Sequence, residues 1–175
     1  PFLRPKEFSG DNSTDFEMIA HFLEWLSNKN KILPEYLVHI RPTTPLREPN
    51  IIDKAIEYIV NNPQATALRS VHLMSESAYK TFEITNEGIL RQLGSSNSQL
   101  DEANKPRQQY PNTYVANGYV DVLKTSYILE SSTIHGNLVL PFLTPLTTEV
   151  DSEEDFNYLN YLIDQEANII KKLFD

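Results

Sequence analysis

Two acids and a stiff basic turn carry most of the chemistry open to this chain. Glu149 and Asp151 stand two residues apart. In an extended segment such residues face the same side, about 7 Å apart along the chain. Two carboxylates at that spacing can share a divalent cation with phosphate oxygens. Glu153, Glu154 and Asp155 read differently. They follow Ser152, a good N-cap, and favour the positive end of a helix. The same helix-start role stays open for Glu149 and Asp151. The basic turn is Arg41-Pro42-Thr43-Thr44-Pro45-Leu46-Arg47. Each proline removes an amide donor and fixes φ, so the turn is rigid and non-helical. Cations and hydroxyls on a rigid strand-to-helix turn suit an anionic ligand at the end of a sheet. An ordinary surface loop with solvated arginines would have the same composition. Lys105-Pro106-Arg107-Gln108-Gln109-Tyr110-Pro111 is a second basic loop framed by prolines.

Several other chemistries are excluded. The formal net charge is −9, which disfavours nonspecific nucleic-acid or anionic-membrane binding. There is no cysteine, hence no disulfide, no thiolate chemistry and no cysteine-ligated metal. That composition weakly favours the cytoplasm. The four histidines lack metal-ligand spacing, and there is no Gly-x-Ser-x-Gly nucleophile elbow. No apolar run approaches the roughly 20 residues that span a bilayer, and no signal peptide is present. The chain starts at Pro1 without a methionine, as expected of a processed, truncated or partly omitted sequence.

The elements that must position these groups read as one α/β domain of 175 residues, 40% of them hydrophobic. Thr14 or Asp15 caps a helix with Glu17 in its first turn, and Phe16, Ile19, Ala20, Leu23 and Leu26 recur at helical spacing. Asn28-Lys29-Asn30-Lys31 ends it. Leu37–Ile40 reads as a buried strand leading into the basic turn. A helix follows from about Asn50, with Ile52, Ala55, Ile56, Ile59 and Val60 on its apolar face, and Asn61-Asn62-Pro63 stops it. Ala67–Leu73 is a second strand. Strand, helix and strand in about 35 residues make a βαβ unit and predict a parallel sheet. Tyr79–Ile84 alternates like an edge strand. Gly94–Ser98 reads either as a mobile cover or as a passive linker. Asn117-Gly118 predicts a tight turn, since that pair tolerates positive φ. A strand follows over Tyr119–Leu123, where a buried Asp121 would need partners. Pro141 demotes Leu138–Leu143 to a sheet edge or a subunit contact. Phe156, Leu159, Leu162, Ile163 and Ile170 define a last helix.

Taken in order, Arg4-Pro5…Asp11, Arg41–Arg47, Lys105–Gln108, Asn117-Gly118 and Glu149–Asp155 resemble the motifs of the N-acylneuraminate cytidylyltransferases, the CMP-sialic acid synthetases. The resemblance covers nearly the whole chain. Each motif alone is weak, and the signal is five of them in the right order. It implies a Rossmann-like α/β nucleotidyltransferase with a mostly parallel sheet and a small dimerisation hairpin, here around 125–143. The implied reaction is cytidylyl transfer from CTP to a nine-carbon 2-keto acid sugar with Mg²⁺, catalysed by a homodimer. Glu149 and Asp151 match the metal-binding acids, with Asp151 and Arg107 in catalytic positions. Arg41, Thr43, Lys80 and Asn117 match substrate-binding positions.

Departures from the family pattern are instructive. Its opening strand and basic glycine-containing loop, Ala-Arg-x-x-Ser-Lys, are absent, so the chain as given is expected to hold CTP poorly and to be inactive alone. Glu149 replaces an aspartate, which is chemically mild. Arg41 stands where sialic acid enzymes have glutamine. With Val115, Tyr119 and Asp121 it points towards the branch acting on legionaminic acid or similar sugars. Two alternatives remain: a non-catalytic dimerisation or sugar-binding fragment, and a cytidylyltransferase for another keto sugar such as Kdo.

Overall fold

The structure is a computed structural model and describes residues 3–93, 100–165 and 173. Helix α1, Asp15–Asn28, starts at a capping box. Thr14 Oγ1 accepts from the Glu17 amide at 3.3 Å, and Glu17 Oε2 accepts from the Thr14 amide at 2.7 Å. These bonds satisfy donors that the first turn leaves unpaired. Strand β1, Tyr36–His39, leads into the basic turn, and helix α2, Pro49–Val60, leaves it with proline in its first turn. Strand β2 spans Ala67–Leu73. A short hairpin follows, β3 over Phe82–Ile84 and β4 over Leu90–Gln92, bridged by Arg91, whose Nε and Nη2 both donate to Glu83 Oε1. Strand β5, Tyr114–Lys124, is the longest. Helix α3, Thr125–Ser131, strand β6, Val139–Leu143, and helix α4, Glu153–Gln165, complete the order.

The main sheet runs β1-β5-β2-β6. β1 and β2 are each antiparallel to β5, while β6 is parallel to β2. Three of the four strands therefore share one direction, and the fold is α/β with a mostly parallel sheet in that sense. The β1-α2-β2 unit keeps its common direction, but its two strands are not neighbours. β5 inserts between them because it is the most continuously buried strand, with residues 119–123 all in the core. A strand flanked by others and covered on both faces reads as an unbroken apolar run. β6 is an edge, as its proline requires. β1 is also an edge, so it is half-buried rather than buried, with Val38 and Ile40 exposed.

Two further expectations change. Asn117-Gly118 does not form a hairpin turn. It lies inside β5, where pairing with β2 jumps from Arg69↔Asp121 to Val71↔Ala116. This is a bulge, with Gly118 at φ +63°. Residues 125–143, expected to hold a dimerisation hairpin, fold instead as α3 and β6, because β6 satisfies its ladder against β2. Among the described residues, β3 and β4 form an antiparallel hairpin. Gly94–Ser98 and Ile170 lie outside the described residues. Among the described residues no helix is long and apolar enough to cross a membrane.

Both faces of the sheet are packed. α2 sets Ala55 and Ile59 against Leu68, Val120 and Val122. α1 sets Ile19 and Leu23 against Ala67, Leu123 and Ile128 on the other face. The register aligns Leu37, Leu123, Ala67 and Val139 in one apolar row beneath α1. Two residues along each strand, the next row on that face is His39, Asp121, Arg69 and Pro141. The apolar layer thus ends abruptly in charge. Leu123→Ala is expected to cost about 2–5 kcal/mol by urea unfolding, and Leu146→Ala, at an exposed position, less than about 0.5.

Candidate functional site

Gly118 is where the chemistry-bearing segments meet. A β-carbon placed there would lie 3.1 Å from Arg41 Cδ, 3.2 Å from Thr44 Oγ1 and 3.4 Å from Glu149 Oε1. The missing side chain therefore lets the basic turn and the acidic segment close over the bulge. The Val150 amide donates to the Thr43 carbonyl at 2.8 Å, which draws Glu149 beside the turn. Thr44 is buried and its hydroxyl reaches the Asn117 carbonyl at 3.5 Å. Thr43, the expected substrate contact, serves this junction through its backbone.

The two arginines of the turn have different work. Arg47 donates from Nε to the Tyr119 carbonyl at 2.6 Å and from Nη2 to the Gly118 carbonyl at 3.0 Å. Its Nη2 also binds the Arg41 carbonyl. One guanidinium thus satisfies three carbonyls that the bulge and turn leave outside any ladder. Burial lowers its pKa, the Tyr119 hydroxyl opposing that shift. Arg41 instead carries its guanidinium out of the junction to the Asp15 carboxylate at the start of α1.

Asn117 is buried, and its amide is engaged within the fold. Nδ2 contacts Thr144 Oγ1 at 2.6 Å and His72 Nδ1 at 3.2 Å, while Oδ1 accepts from the Tyr119 amide at 3.2 Å. It ties the bulge to β2 and to the end of β6. Glu149 and Asp151 are both exposed. The Asp151 amide donates to Asp155 Oδ2 at 3.2 Å, so Asp151 opens the capped start of α4. Ser152 and Asp155 form the cap itself: the Ser152 amide donates to Asp155 Oδ2 at 2.9 Å, and the Asp155 amide donates to Ser152 Oγ at 3.2 Å.

Lys80 and Arg107 form a separate basic group past the end of β2. Arg107 Nη2 donates to the Met74 carbonyl at 2.8 Å. Lys80 ends a single helical turn, Ala78–Lys80, whose Tyr79 ring stacks on Tyr110 with centroids 5.6 Å apart. The stack joins the two basic loops. The structure thus brings Arg41, Gly118 and Glu149 together, and holds Lys80 and Arg107 on two loops joined by the Tyr79–Tyr110 stack.

A third group was legible only at Asp121. This aspartate is 3% exposed in the middle of β5. Arg69 Nε lies 3.8 Å from Oδ1, and His135 Nε2 lies 3.6 Å from Oδ2. His39 is its register partner on β1. Arg69, His39 and His135 carry no motif, and only the strand pairing gathers them. A cleft of about 440 Å³ takes in Arg69 and His135 with Thr14, Asp15, Arg41 and Thr133, while Asp121 and His39 do not line it. A smaller hollow of about 240 Å³ lies between Ile51, Tyr119, Leu146 and Leu162, and none of the expected site residues lines it.

No family model and no curated protein sequence matches the chain. The fold does match a solved structure, CMP:2-keto-3-deoxy-manno-octonic acid synthetase complexed with CTP. The TM-score is 0.57 at 9% identity, over 89% of this chain and 70% of that one. The likeness establishes a shared fold.

Two measurements test the site's construction. Arg47→Met should lower stability by about 2–4 kcal/mol, because it strips half-buried carbonyls of their donor, whereas Arg41→Met should cost under about 1 kcal/mol. Equal losses in urea unfolding would contradict the division of labour. Burial also lowers the pKa of His39 from 6.5, outweighing the Asp15 and Asp121 charges that raise it. The unfolded chain therefore takes up this proton first, and the associated stability is lost as pH falls through about 6.5 towards the folded value. His39→Gln should flatten the slope of unfolding free energy between about pH 7 and pH 5.

Proposed function

We propose that the chain serves the transfer of a cytidylyl group from CTP to the anomeric hydroxyl of a 2-keto acid sugar. The observation that carries this reading is the convergence of the basic turn and the Glu149 segment on Gly118, from which Arg41 carries its guanidinium into the cleft beside Asp15. A guanidinium at a cleft beside a strand end suits a compact, anionic, hydroxyl-rich ligand. Fold alone does not confer an activity. The ordered motifs and this junction supply the support that the shared fold does not.

In the reaction, the anomeric oxygen bonds to the α-phosphorus as the bond to the bridging oxygen breaks. Pyrophosphate leaves with the electron pair, and the anomeric proton passes to base or solvent. Arg41 is placed to hold the keto-acid carboxylate, its pairing with Asp15 yielding to the ligand. Lys80 and Arg107 set positive charge past β2, where charge on the phosphates is met. Asn117 orients the floor from within. Mg²⁺ commonly takes one or two carboxylates and completes its shell with water and substrate phosphates. Glu149 and Asp151, both exposed, would be the carboxylates to hold such an ion. Bound there, the ion would neutralise charge on the phosphate oxygens.

The basic turn favours a nine-carbon acceptor of the sialic or legionaminic type. The solved neighbour, a synthetase named for an octonic acid, favours Kdo as a second reading. The proposal includes a homodimer, for which Leu138 and Leu143 on the β6 edge offer exposed apolar surface. The test, run on protein that carries the CTP-holding segment the resemblance calls for, is pyrophosphate release from CTP with Mg²⁺ and, in turn, N-acetylneuraminate, legionaminic acid and Kdo. The combined Glu149→Gln and Asp151→Asn change should lower the rate by about 100-fold or more. An unchanged rate would remove the metal role. Sugar binding without any pyrophosphate release would favour the non-catalytic reading.

A further inference from the structure

The cytidylyl-transfer reading uses one arginine of the cleft and leaves another without a role. Thr14, Asp15 and Phe16, at the start of α1, line this cleft together with Arg41, Arg69 and His135. Arg69 stands on β2, in the row where the apolar layer beneath α1 ends in charge. Its side chain is 38% exposed, so a ligand in the cleft can reach it. Its one ion pair among the described residues is with Asp121, whose Oδ1 lies 3.8 Å from Nε, beyond a direct hydrogen bond. A guanidinium stays charged and carries five donors in a planar fork. Among the described residues none of the five donates a hydrogen bond. The buried carboxylate behind Arg69 offsets its charge, and its donors stay available on the cleft side of that pair.

Arg41 shows what the cleft accepts. Its guanidinium already binds a carboxylate there, that of Asp15. Both partners are partly exposed, so a ligand carboxylate can take the place of Asp15 at little cost. The two arginines come from either side of β5, since β1 and β2 both pair with it. Strands that flank a common neighbour lie about 10 Å apart, a gap that two long side chains can close on one compact ligand. His39 feels the charges of Asp15, Arg41, Asp121 and His135, which gathers both ion pairs around a single imidazole. A carboxylate only accepts, and it matches the forked donors of arginine. We propose that Arg69 is a second carboxylate-binding residue of this cleft, which with Arg41 selects acidic over neutral sugars. The identity of the ligand as a keto-acid sugar rests on the proposed cytidylyl transfer, and the anion recognition rests on the two arginines.

The test is calorimetric binding of N-acetylneuraminate and Kdo, each beside its methyl ester, which keeps every hydroxyl and loses the charge. Wild-type protein should bind at least one acid about 30-fold more tightly than its ester. Arg69→Met should weaken binding of that acid about 10-fold and leave the ester within about 2-fold. Arg69→Lys, which keeps the charge beside Asp121 and loses the fork, should fall in between. Arg69→Met alone leaves a buried carboxylate unpaired, so the comparison is repeated in an Asp121→Asn background. Acid affinity that Arg69→Met leaves unchanged, an equal loss for acid and ester, or no binding of either acid by wild type overturns the proposal. Inorganic phosphate binding more tightly than both sugar acids overturns the carboxylate assignment. Pyrophosphate release, assayed on protein that carries the CTP-holding segment, separates this from the parent reading. Normal release with an unchanged sugar KM in Arg69→Met removes the second arginine and leaves the cytidylyl transfer standing. No release with any sugar removes the cytidylyl transfer, and acid-selective binding that falls with Arg69 then still upholds the anion site.

Discussion

The bulge at Asn117-Gly118, and the arginine that clamps it, is the constraint on which the rest of the site depends. β5 must serve two neighbours at once, and its pairing with β2 breaks between Asp121 and Ala116. A broken ladder leaves carbonyls without partners, and unpaired buried groups are costly. Arg47 meets those of Gly118 and Tyr119 while bonding the turn it belongs to. Ser70 completes the repair by accepting the Val120 amide at 2.9 Å. Without the bulge, β5 would run straight and there would be no glycine floor for Arg41 and Glu149 to approach. A defect in the sheet thus becomes the place where segments distant in sequence meet.

Charge is distributed with the same economy. The chain is acidic overall, with 15 lysines and arginines against 24 acids. Arg41 and Arg69 flank the cleft, and Lys80 and Arg107 stand past β2. Asp15 holds Arg41 in the absence of ligand. A partly exposed pair of this kind contributes little to stability, so exchanging one carboxylate for another is energetically accessible. Asp121 is the opposite case. It lies deep in the core, with its nearest cations just out of hydrogen-bonding reach.

Local signals were read well from sequence. The Thr14–Glu17 and Ser152–Asp155 boxes follow from side chains three residues apart, and Pro141 marked an edge strand. Misreadings came from pairing, which is non-local. Asn-Gly has the same dihedral preference in a hairpin and in a bulge, and only the β2 partner decides between them. Leu37–Ile40 looked buried because its apolar residues are continuous, but β1 has a neighbour on one side only. The acid pair and basic turn were legible as motifs, though their approach through Gly118 was not. Arg69, His39 and His135 carried no signal, because their chemistry exists only once β1, β2 and the segment after α3 are aligned on Asp121.

The central claim is that an acidic sugar sits in the cleft that Arg41 lines, beside the Gly118 junction. Amide chemical shifts of isotope-labelled protein titrated with N-acetylneuraminate test it most directly, since Gly118 reports from the floor itself. The account predicts that the largest saturable changes fall on Arg41, Arg69, Gly118 and Glu149. Changes centred instead on the hollow between Ile51, Tyr119, Leu146 and Leu162, or none at millimolar sugar, would contradict it.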